Sequence, residues 1–184
     1  MMSEAGLAPD AERAVGNALE KAAYWLALFG GVILAAMALV TVASVIGRAF
    51  IFAGLSPIRG DYELVQMGCA IAVFSFLPWC QIKRGHVTVD IFVSGMSKRL
   101  QLFWELLGNI ALATAAILIA WRLWLGTADK FSYGEETYEL GLSVGWGYGL
   151  SMIGAILFAV AATYTVWRSV NELMRGEKPA DMAA

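Results

Sequence analysis

Four long apolar runs constrain this chain more than any other feature of its sequence. Ala22–Gly47 holds 26 residues without a charge, Leu64–Ile82 holds 19 and Leu140–Trp167 holds 28. A fourth run, Leu100–Leu125, is interrupted only by Glu105 and Arg122, with 16 uncharged residues between them. About 20 apolar residues suffice for a helix to cross the hydrocarbon core of a bilayer, and long charged side chains near the ends of a span can snorkel to the surface. Only 15% of the 184 residues are charged, against about 25% in a soluble domain. These features predict an all-α integral membrane protein with four transmembrane helices at about 22–47, 63–82, 100–125 and 142–167. They divide the chain into an N-terminal segment 1–20, a membrane domain 21–168 and a tail 169–184.

The flanks of the runs agree with this division. Tyr24, Trp25, Trp104, Trp121 and Trp124 sit where aromatic belts form at membrane surfaces, and Arg48 closes the first run. Ala11–Leu19 is expected as a short helix on the membrane surface, and the first span as an uncleaved membrane helix. Gly54 and Pro57 break the apolar loop Phe50–Gly60. Asp61 and Glu63 open the second span, where acidic groups suit the positive end of the helix dipole. Gly126–Leu140 is expected as a polar loop. In the central loop, Val89, Phe92, Val93, Met96 and Leu100 follow helical spacing, which predicts a short amphipathic helix lying in the interface.

Four spans leave both termini and the central loop on one side. That side carries nine basic residues and the other carries four, Arg48, Arg59, Arg122 and Lys130. The excess of Lys and Arg on cytoplasmic loops then places both termini and the central loop in the cytoplasm.

Several chemistries are disfavoured. No span has an ionisable residue near its middle, as a proton-coupled exporter requires. Cys69 and Cys80 lie roughly 16 Å apart along one helix, too far for a disulfide. One histidine cannot supply two axial haem ligands, and no hydrolase, zinc-protease or phosphate-binding motif occurs. No basic stripe with interleaved aromatics points to nucleic acid. The chain is therefore expected to be no enzyme and to hold no metal or cofactor of its own.

The central loop gathers the only histidine with nearby charges. On a helix, His86 and Asp90 share a face at i and i+4; two ligands are too few for a closed metal site, so a positional hydrogen bond is expected. Lys83, Arg84, Lys98 and Arg99 are expected to anchor topology and lipid headgroups. In the fourth span Gly145, Gly149, Ser151 and Ala155 form a small-residue surface suited to close helix packing.

With four spans, Arg48 at the end of the first, Glu63-Leu64 at the start of the second and Gly85-His86-Val87-Thr88-Val89-Asp90 after it, the chain resembles the small membrane subunit, the DctQ component, of tripartite ATP-independent periplasmic (TRAP) transporters. Leu142-Ser143-Val144-Gly145-Trp146 adds a weaker match, with glycines where family members often carry a proline. The resemblance implies a non-catalytic subunit in the bacterial inner membrane that braces a large membrane subunit. The assembled transporter uses a sodium gradient to take up organic acids delivered by a periplasmic substrate-binding protein. It also implies structural or subunit-contact roles for Arg48, Glu63, His86 and Asp90. The alternative is a small anchor or redox subunit of a membrane enzyme complex.

Overall fold

The computed structural model describes residues 9–84 and 97–175. Four long helices make up nearly all of it: α1 (Pro9–Ala49), α2 (Asp61–Ile82), α3 (Lys98–Tyr133) and α4 (Val144–Arg175). Each is long and apolar enough to cross a membrane, and among the described residues the only β-type pairing is an isolated bridge between Glu136 and Ser143. The predicted fold class, all-α with four transmembrane helices, is what the structure shows. The predicted interfacial helix of the central loop lies almost wholly outside the described residues.

Side by side, the helices run in the order α1, α2, α4, α3. The backbone of α2 packs on α1 and on α4, and α3 packs on α4; the backbones of α2 and α3 do not approach each other. Small residues make each seam possible, because helices in an apolar solvent associate through close van der Waals fit. Between α1 and α2, a β-carbon on Gly30 would fall 2.7 Å from the Cβ of Ser75, and one on Gly68 would fall 2.6 Å from Met37. Between α3 and α4, Ala113 and Ala116 bury against Phe158 and Ala162, and Gly145 lies under the ring of Phe131.

The α2–α4 seam brings two helix backbones into direct contact. Pro78 stands inside α2 and has no N–H, so the carbonyl of Phe74, four residues before it, loses its helical donor. Gly154 of α4 lies directly opposite: a β-carbon there would come within 2.3 Å of that oxygen.

Two boundaries differ from expectation. Ala11–Leu19 is not a separate surface helix but the first turns of α1, whose Gly16 packs against Tyr164 of α4. The third helix does not stop near Leu125 but continues to Tyr133, through much of the expected polar loop. Polarity marks where a helix leaves the apolar phase, not where it ends, and nothing from Thr127 to Tyr133 breaks a helix. The break comes at Gly134, in the left-handed region at φ 61°, which favours glycine.

Candidate functional site

Polar side chains gather at the two ends of the helices, and between them the walls are uncharged. No Asp, Glu, Lys, Arg or His occurs in Leu64–Ile82, Val144–Trp167 or Ala22–Gly47. The end bearing the chain termini and central loop is called here the terminal end, the other the hairpin end.

At the terminal end the centre is Arg84, just past the end of α2. Its backbone adopts φ 52°, the only described non-glycine residue with positive φ. One guanidinium nitrogen pairs with Glu105 of α3. The other reaches both carboxylate oxygens of Glu172 of α4 at 2.7 Å. Arg168 adds a bond to Glu172 at 3.1 Å from one turn earlier on α4. The Arg84, Glu105 and Glu172 side chains are only 13%, 18% and 13% exposed. A planar fork holding two carboxylates suits arginine and not lysine, and it links α2 to α3 where their backbones stay apart.

Around this centre the other helices are tied in turn. Lys83 pairs with Glu20 of α1 at 2.6 Å and lies over the Trp79 ring. Glu12 of α1 accepts from Asn171 at 2.8 Å and from Arg175 at 3.4 Å. Asn109 of α3 donates to Ser169 at 2.7 Å. Deeper in, the buried Gln81 amide donates to the Thr165 hydroxyl at 2.7 Å, and that hydroxyl donates to the Ala162 carbonyl. Among the described residues the buried Gln81 Oε1 and Arg84 Nε atoms have no hydrogen-bond partner.

At the hairpin end the acids of α2 hold the neighbouring connections. Asp61 accepts from Ser44 and from Arg48, the latter at 3.3 Å, joining α1 to α2. Glu63 accepts from the backbone N–H groups of Glu139 and Leu140 at 2.8 and 3.1 Å. Glu139 in return accepts from the Gly60 N–H at 2.7 Å. Gly60 sits at φ 68° with its hydrogen-only face against Leu140. Within the α3–α4 connection, Thr137 and Leu142 exchange backbone and side-chain bonds. The loop is thus pinned to the start of α2.

The residues singled out in the sequence fall as follows. Arg48 and Glu63 make the hairpin-end contacts just given. Lys83 is half-exposed and Arg84 turns inward, each in the ion pairs just given. Lys98 and Arg99 open α3. His86 and Asp90 lie outside the described residues. Gly145 is buried, Gly149 lies near Phe131, and Ser151 and Ala155 are buried in α4. Sequence reasoning missed Glu105, Glu172, Gln81, Thr165 and Gly154. A signal existed for the first two: each carboxylate sits close to one end of its span, on the same side as Arg84.

Among the described residues no group of three His, Cys, Asp or Glu side chains could hold a metal ion, and both cysteines are free. What the geometry supplies is connection: charges paired to one another at both ends, and an uncharged middle. Fold and polar ends together define a multi-pass helical membrane protein. The family profile of the DctQ component of tripartite ATP-independent periplasmic transporters matches residues 37–172, most of the chain and all of α2 and α3. The chain belongs to this family and is a TRAP transporter small permease component. No curated protein and no solved structure matches it.

Proposed function

We propose that the chain acts without catalysis of its own, bracing the scaffold of the large membrane subunit of a sodium-driven, binding-protein-dependent TRAP transporter for organic acids. The observation that carries this reading is the distribution of charge. The described charged side chains gather toward the two ends, where most of them pair within the chain, and the uncharged middle offers no site for an ion or an anionic substrate to cross. Substrate and sodium sites then belong to the large subunit, and capture of the acid to the periplasmic binding protein. The outer helices support a partner role as well. Only 6% of the most apolar stretch of α1 is buried, and 17% of that of α3, which leaves broad apolar faces for lipid and for the large subunit. On this reading the protein lies in the bacterial inner membrane with both termini and the central loop in the cytoplasm, and the loop pinned by Glu63 in the periplasm.

The test is reconstitution. Sodium-driven uptake of an organic acid into vesicles is expected only when the large subunit, this chain and the binding protein are all present, and the two membrane chains are expected to co-purify. Full uptake by the large subunit and binding protein alone would refute the bracing role.

A further inference from the structure

Because the backbones of α2 and α3 stay apart, they leave a groove between them with α4 as its floor. Its volume is about 450 Å³, and it runs beside α2 from Glu63 to Phe74. Those eleven steps measure about 16 Å at 1.5 Å per residue. A groove of that length suits a single extended hydrocarbon chain.

The lining has a direction. Glu63, Gln66 and Thr137 stand at the hairpin end, and Met67, Ala70, Phe74 and Leu123 form an apolar wall towards the membrane interior. In a membrane-spanning protein the open side of such a groove faces lipid tails. Arg122 supplies the remaining element. It is exposed, adjoins Leu123, and among the described residues makes no ion pair. It lies one turn before Gly126, whose open side faces the ring of Tyr148, another residue lining the groove. An arginine on that face is long enough to snorkel towards the hairpin-end surface and suited to grip a phosphate.

We infer that the α2–α3 groove is a binding site for one phospholipid of the leaflet at the hairpin end, with an acyl chain along Met67, Ala70 and Phe74 and its phosphate on Arg122. The inference rests on the membrane placement of the chain and not on its proposed role in transport.

The test uses the full-length chain, reconstituted in vesicles of phosphatidylethanolamine and phosphatidylglycerol, re-extracted in a neutral detergent and weighed by native mass spectrometry. One phospholipid is expected to survive per chain. Ala70→Phe, which fills the groove, is expected to lower retention about tenfold, equivalent to ~1.4 kcal/mol. Arg122→Gln is expected to weaken retention several-fold and Arg122→Lys to restore most of it. Ala70→Leu, a smaller filler, serves if the Phe variant misfolds, with thermal unfolding as the control for both. Three results would overturn the site: no phospholipid retained, equal retention in a folded Ala70 variant, or detergent held as firmly as phospholipid, an adventitious additive only. Cross-linking of Ala70 to a side chain of another subunit in the native complex would also overturn it.

Discussion

Gly154 of α4 faces the one carbonyl of α2 that Pro78 strips of its helical donor, that of Phe74. The residue that disrupts the hydrogen-bond ladder and the residue that lets another helix approach the gap lie on different helices, 76 positions apart. In a bilayer a freed carbonyl is costly unless something polarised approaches it, and the Cα–H of a glycine is such a group, though a weak one.

Gly154→Ala is expected to be destabilising, because the obstructing atoms are backbone and cannot swing aside. Overpacking of this kind typically costs about 1–3 kcal/mol. Thermal unfolding in detergent should show a lowered Tm for Gly154→Ala and little change for Gly31→Ala, a glycine with open space around it. Equal Tm values for the two variants would mean that α2 and α4 slide apart at no cost.

Arg84→Ala leaves Glu105 and Glu172, both largely buried, without the guanidinium they share. Removing one partner of a buried ion pair costs on the order of 3–5 kcal/mol, and Arg84→Lys is expected to recover only part of it, since an ammonium cannot reproduce the fork. Chemical denaturation followed by tryptophan fluorescence measures both. Lys83→Ala, which breaks a half-exposed pair with Glu20, should cost no more than about 1 kcal/mol. The contrast between neighbours is the informative result.

Glu63→Gln is expected to loosen the α3–α4 connection without unfolding the helices. The carboxylate accepts two backbone N–H groups, and an amide offers only one oxygen. Hydrogen exchange at Glu139 and Leu140 should quicken, while exchange in the middle of α4 stays slow.

Thr165→Val removes the partner of the Gln81 amide and leaves it buried and unsatisfied. A single deletion of this type costs about 1–3 kcal/mol, whereas replacing both partners by apolar groups can be nearly neutral. The double variant Gln81→Met, Thr165→Val should therefore be more stable than Thr165→Val alone, by equilibrium unfolding in detergent.

The four helices were legible because burial in lipid leaves a one-dimensional mark, length without charge, that no tertiary detail obscures. Their ends were less legible. Asp129 and Lys130 look like a loop in a hydropathy profile, but the α3 helix carries them into the aqueous phase and stops only where Gly134 adopts positive φ. The site was legible in part. Arg48 and Glu63 stood out as charges at span boundaries; Arg48 joins α1 to α2, and Glu63 holds the α3–α4 connection. Arg84 stood out for the same reason, but its partners lie 21 and 88 residues away, and sequence spacing gives no angle around the helix axis. Gly154 carries no such mark: the GxxxG spacing of Gly145 and Gly149 picks out another turn of α4, while the critical approach is fixed by a proline on another helix.

The inward fork of Arg84 also imposes an order on biogenesis. Both carboxylates follow Arg84 in the chain, Glu105 on α3 and Glu172 on α4. Until α4 is in place the guanidinium has at most the first of them. Only α4 completes the fork. The same contact that joins three helices in the finished protein thus records that the last of them has arrived: without Glu172 the arginine keeps only its bond to α3.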